Sequence, residues 1–214
     1  MSNETAAAVE MSITRALAEI KLLEKRINQG VEEFNAATVV AGHSVPPGYE
    51  SVAAFQAASE NKAKSLAALI DRRNRIKAGV IASNAITMVT IDGTKMTVAE
   101  AIERKSSIGL TKSLHHTMQS QLSAANRKAE MGNAKILDEA NARAIAALGD
   151  NAKKDAATEY ESLINKYVER NKYVAVAPRD MTNVVEKMGA SIDQFEAEVD
   201  YVLSESNTVT KIRV

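Results

Sequence analysis

Apolar positions in the first third of the chain recur at alternating steps of three and four. Ile13, Ala16, Ile20, Leu23, Ile27, Val31 and Phe34 follow a repeat of about 3.5 residues, the spacing of a coiled-coil-like seam on a helix of roughly seven turns. Gly42 to Gly48, with Pro46-Pro47 inside it, ends that pattern, because proline removes a backbone donor and its predecessor avoids helix. Val52, Phe55, Leu66, Leu69, Ile76 and Val80 then mark one face of a second helix, from near Glu50 to about Ala82. Two helices joined by a proline loop predict an antiparallel hairpin.

The period changes from helical to alternating at Ile86–Ile91, as in a half-buried strand, and Asp92-Gly93 suits a two-residue turn into a short return strand at 94–96. Thr97 stands three residues before Glu100, the capping-box spacing that opens a new helix. That helix carries Val98, Ile102, Leu114, Met118 and Leu122, with Gly109 and Gly132 as points where it kinks or divides. From about Ala124 to Asn171 the stripe thins to Ile136, Ile145, Leu163, Ile164 and Tyr167, with a break at Gly149-Asp150. Tyr173–Pro178 reads as extended, and Asp180 as the cap of a last helix bearing Met188, Ile192, Phe195, Val199 and Leu203. The final run, Thr208–Val214, alternates again. A lone terminal strand needs partners, so the expectation is a three-stranded antiparallel sheet of the 86–96 hairpin and strand 208–214. The fold is thus mainly α, helical hairpins or a bundle plus that sheet. Residues 1–123 with 179–214 form the body, and 124–178 a helical arm or insertion.

Composition adjusts this picture in two respects. Aromatic residues are 4% of the 214 and tryptophan is absent, while alanine fills much of the apolar quota. Alanine favours helix and close approach but buries little area, so long helices packing between subunits are expected, as a homo-oligomer. The formal net charge is zero, which gives no global attraction to nucleic acid or membrane. There is no cysteine, so disulfide and thiolate chemistry are excluded. No apolar run is long enough to span a bilayer, and Met1–Glu10 lacks the pattern of a signal peptide. A cytoplasmic location follows as the expectation.

Candidate chemistry concentrates between Lys62 and Lys77, where Lys62, Lys64, Arg72, Arg73, Arg75 and Lys77 face a single acid, Asp71. Arg72 with Arg75, and Arg73 with Lys77, share helix faces. Arginine suits bidentate phosphate contact. The candidate ligand-binding set is therefore Arg72, Arg73, Arg75, Lys77, Asn84 and Lys105. The competing expectation docks the run on the acidic last helix (Asp193, Glu196, Glu198, Asp200, Glu205) or leaves it solvated, and makes Asn84 a helix terminator. His115 and His116 diverge by about 100° on a helix, so they do not share a metal. His115, in step with Met118 and Leu122, reads as a partly buried structural histidine. His43 sits alone in the proline loop. No paired carboxylates, HExxH, GxSxG, Walker loop or GxGxxG occur, and the reading is non-catalytic, with no cofactor or metal. The basic run has no interleaved aromatics, so nucleic acid is not expected.

Four segments resemble a helical family named septicolysin-like, found in bacteria and tailed phages. They are the ALxEIKxLxxRI helix at Ala16–Ile27, the run Leu69–Asn74, the GTxMTVAEAIERK-like stretch at Gly93–Lys105, and an LSExN-x-T close at Leu203–Thr208. Residues 124–178 form a longer segment than in compact members. The resemblance implies a virion component or a small early protein acting on host processes. Two expectations follow. One is a homo-oligomer that sequesters an anionic, nucleotide-like small molecule such as a host defence signal. The other is a structural subunit of a phage particle or other scaffold.

Overall fold

A computed structural model describes residues 9–214; part of the Met1–Glu10 stretch read above lies outside the described residues. The chain is mainly helical, as its periodicity predicts. Strand β1 (Glu10–Ser12) leads into α1 (Ile13–Glu32), and α2 (Val52–Ile86) follows the proline loop. Strands β2 (Met88–Ile91) and β3 (Thr94–Thr97) precede α3 (Val98–Leu148), a short α4 (Ala152–Asp155), α5 (Ala157–Asn171), α6 (Met181–Val209) and β4 (Lys211–Arg213). Two compact units result: one runs up to Ser106 and takes in Phe195–Val214, the other is Ser107–Gln194. The division therefore falls at 106/107 and 194/195, where the sequence pattern placed it at 123/124 and 178/179.

In the first unit the seam of α1 is consumed inside the chain. Ile13, Ala16, Ile20 and Leu23 join Met11, Ile76, Val80 and Ile212 in one buried cluster, flanked by Leu17, Ile27, Leu69 and Val214. The regular seam therefore packs on α2 and the C-terminal strand, and it supplies no argument for a subunit contact. Ser12 caps α1 by accepting from the Arg15 amide at 3.3 Å; Ser51 caps α2 the same way through Ala54 at 3.0 Å.

The expected three-stranded sheet is two separate ribbons. β4 does form at the tail, but its partner is β1, antiparallel, with Met11 opposite Ile212. Among the described residues β2 pairs only with β3, Val89 opposite Met96. The sequence pattern missed β1 because three residues ahead of a strong helix carry too short an alternation to register. α6 also continues to Val209, so Thr208 is helical and the strand is confined to Lys211–Arg213. Similarly, α2 runs on to Ile86, which is exposed, and the hairpin starts at Met88.

Local chemistry at the hairpin follows the sequence closely. Asp92 and Gly93 both adopt positive φ, 52° and 64°, the geometry of a turn that matches strand twist and that glycine adopts freely. The Asp92 amide donates to Glu198 Oε2 at 2.8 Å, tying the turn to α6. The capping box is complete: the Thr97 amide donates to Glu100 Oε2 at 2.6 Å and the Glu100 amide to Thr97 Oγ1 at 3.1 Å. Val89, Ile91, Met96, Val98, Ala101, Phe195 and Val199 are all buried, and the Arg104 guanidinium lies 4.2 Å from the Phe195 ring centroid.

In the second unit, α3 is uninterrupted at both Gly109 and Gly132 and stops at Gly149, whose φ is 90°. Ala144 and Tyr160 form a small buried cluster with Leu148 and Ile164, and Tyr160 Oη donates to Asn141 Oδ1 at 3.0 Å. Tyr167 Oη donates to Glu139 at 2.9 Å, and that carboxylate, by favouring the protonated phenol, raises the Tyr167 pKa. Asp180 directly precedes α6, with a left-handed φ of 61°, and its carbonyl accepts from the Val184 amide at 3.0 Å. His115 is half-buried, with its ring against Gly189, the structural position its spacing implies.

Replacing Ile212 by alanine should destabilise the protein by about 2–5 kcal/mol in urea unfolding, since the side chain plugs the α1–α2 seam; a loss below 0.5 kcal/mol, within the usual range of a surface change, would contradict that. At Glu100, hydrogen bonds from Thr97, the backbone amide first, hold the carboxylate below its usual pKa of 4.5. A depressed folded pKa adds stability above the unfolded value that disappears as pH falls through the folded one. Glu100→Gln should therefore flatten the stability profile at and below about pH 4.5 and change little at pH 7; an unchanged acid limb in a pH series of thermal melts would count against the box.

Candidate functional site

The six cations and amides marked by sequence do not converge on one cavity. Three of the cations are already paired. Arg72 donates to Glu19 Oε1 through Nε at 2.7 Å and Nη2 at 2.6 Å. Arg73 donates to Glu24 Oε1 through Nε at 3.1 Å and Nη2 at 2.8 Å. Lys105 is bonded to Asp200 on α6. Arg75 and Lys77 are exposed and make no hydrogen bond or ion pair among the described residues. Asn84 lies inside the last turns of α2, and the cap position is Thr87, whose amide donates to Ser83 O.

The basic run of α2 is thus answered mainly by α1. Adding Lys62 with Glu33 at 3.0 Å, three ion pairs bridge the antiparallel helices. The alternative in which the run docks on the last helix is also corrected, because α1 supplies the acids. The cause is geometric. Antiparallel packing of the shared seam puts Glu19, Glu24 and Glu33 level with Arg72, Arg73 and Lys62, whereas seam residues read alone do not show which flank meets which. These pairs are substantially exposed, with the Arg72 and Glu19 side chains 48% and 22% accessible, so each contributes at most about 1 kcal/mol. Their effect is on register and orientation.

One flank of this helix pair forms a groove of about 480 Å³, lined by Arg15, Ala18, Glu19, Leu22, Leu23, Arg26, Leu69 and Arg72. Arg72 is the sequence-marked residue that reaches it, held in place by Glu19. Arg15 and Arg26 are exposed, and their guanidinium groups have no partner among the described residues. Arg72 and Glu19 offset one another, so Arg15 and Arg26 leave the groove positive, and its floor is leucine, with Leu22 48% accessible. Volumes of this order suit small ligands, and arginine forks suit phosphate or carboxylate. The sequence did hold a signal for Arg15 and Arg26: Arg15, Glu19, Leu22 and Arg26 recur at steps of four, three and four, a second stripe along α1 beside the apolar one.

Among the described residues no three His, Asp, Glu or Cys side chains gather to hold a metal, and His43, His115 and His116 lie on separate elements or faces. No described helix is long and apolar enough to cross a membrane. Comparison with protein-family models, with curated proteins and with solved structures finds no match.

Proposed function

We propose that this is a non-catalytic, self-associating protein that sequesters an anionic, nucleotide-like small molecule in the α1–α2 groove. The observation that carries the reading is the pair Arg15 and Arg26, two unpartnered guanidinium groups over a leucine floor, with Arg72 oriented between the helices by Glu19. The arginines take the phosphates by charge-assisted bonds, and Leu22, Leu23 and Leu69 receive the less polar part. Nothing in the groove resembles an acid–base pair or a nucleophile with its base, so capture is the chemistry these side chains support. In the phage setting implied by the sequence resemblance, the ligand is a host signalling nucleotide and the protein acts in the host cytoplasm.

The structural-subunit reading has its own support. Residues 107–139 of α3 contain no buried side chain, yet Leu110, Leu114, Met131 and Leu137 are exposed there. Apolar positions left open along a helix favour a protein partner, and a second copy is the economical one.

Calorimetric titration of linear and cyclic nucleotides should detect binding that Arg15→Gln with Arg26→Gln weakens by roughly 3–6 kcal/mol, from two charged bonds of about 1.5–3 kcal/mol each, with melting temperature unchanged. Equal affinity in wild type and variant, or no binding by wild type, would remove the groove as the site. Light scattering at micromolar concentration should give a multiple of the 23.0 kDa chain mass; Leu110→Asp with Leu114→Asp should reduce it, whereas a wild-type monomer would contradict self-association.

A further inference from the structure

The second unit holds another cationic concavity, and its floor is aromatic. Tyr173 lies in the non-helical segment just after α5, and Asn133 of α3 grips its backbone at both polar groups. The Tyr173 amide donates to Asn133 Oδ1 at 2.7 Å, and Asn133 Nδ2 donates to the Tyr173 carbonyl at 2.9 Å. The ring then rests on Gly132. A Cβ at that position would fall 2.5 Å from Tyr173 Cδ2 and 2.8 Å from Cγ, so the absence of a side chain is what lets the ring lie so close. The ring is fixed, yet Tyr173 remains 54% accessible.

Around this platform α3 presents Arg127, Lys128 and Lys135, with Ala124, Met131 and Gly132, in a concavity of about 450 Å³. Among the described residues no carboxylate lines it. None of the three cations has a hydrogen bond or ion pair among the described residues, unlike Arg72, Arg73 and Lys105 in the first unit. At about 1.5 Å per residue, Arg127 and Lys135 stand roughly 12 Å apart along the helix. Met131 lies midway between them in sequence.

We infer that this concavity is a seat for a planar aromatic anion of the mononucleotide class. Its base stacks on the open side of Tyr173 and its phosphates lie among Arg127, Lys128 and Lys135. A surface tyrosine needs no such support to stay solvated. Two hydrogen bonds and a glycine seat hold a ring that the core does not use, and the charged residues lining the concavity are all of the sign that a phosphate requires. Base–aromatic stacking is sequence-tolerant and a charged fork or ammonium fixes the phosphate end. One platform takes one base: single-strand binding surfaces stack successive bases on several aromatics, and here the lining has only Tyr173. The site shares no residue with the α1–α2 groove, so either can stand without the other.

The test uses the full chain carrying Arg15→Gln and Arg26→Gln, so that the groove makes no contribution, and titrates it calorimetrically with ATP, pyrophosphate and a single-stranded oligothymidine. ATP should bind at least tenfold more tightly than pyrophosphate. Tyr173→Phe should stay within about twofold, Tyr173→Leu should lose about tenfold, as expected for one stacked base, and Arg127→Gln with Lys135→Gln should lose tenfold or more and flatten the salt dependence. Pyrophosphate binding as tightly as ATP, an unchanged Tyr173→Leu, or no heat with ATP would overturn the assignment. Tighter capture of the oligonucleotide than of ATP would overturn it too, in favour of a strand-binding surface. Should Tyr173→Leu lose its native circular dichroism, the double cation variant, which leaves the clamp intact, decides alone.

Discussion

Everything in the first unit depends on how the two ends of the described chain are sewn together over one apolar seam. β1 and β4 pair with Met11 opposite Ile212, and the Val9 and Val214 backbones exchange hydrogen bonds of 2.8 and 3.1 Å. That ribbon delivers Ile212 into the cleft where Ile13, Ala16 and Ile20 of α1 meet Ile76 and Val80 of α2. A helix pair so rich in alanine buries little area per residue, and three terminal residues complete what the two helices alone leave open. A two-stranded ribbon is marginal in water by itself; here it is held because one face lies on the seam.

The placement of charge follows from that packing. Once the seam sets the register, the acids of α1 meet the bases of α2, and the run that looks most like an anion site in the sequence is largely spent on the scaffold. What remains open lies beside it: Arg15 and Arg26 on the outer stripe of α1, and Arg72, whose orientation is fixed by Glu19. The second unit distributes its charge differently. Arg127, Lys128 and Lys135 of its long α3 segment make no ion pair among the described residues and stay free around Tyr173.

Helix identity and order were legible because the apolar spacing is strong and the punctuation clear: Pro46-Pro47, Asp92-Gly93, the Thr97–Glu100 box and Gly149. The partner of the tail was not. Strand pairing is non-local, and the alternation in Glu10–Ser12 is too short to announce itself. Gly109 and Gly132 suggested kinks, but glycine weakens a helix by only about 1 kcal/mol, and α3 passes through both. At Gly132 the missing side chain serves Tyr173 instead, a role that becomes visible only when residues forty apart are seen together. The site was half legible for a similar reason: arginine runs can be read, but which of them a facing helix neutralises depends on register.

Native-state hydrogen exchange shows whether the terminal ribbon and the helix pair open together. If the terminal ribbon completes the seam, the Ile212 amide should exchange with the same opening free energy as amides of Ile76–Val80, because all open in one cooperative event. Rapid exchange at Ile212 while Ile76–Val80 keep global protection would show that the helix pair stands without its terminal strand, and would contradict the account.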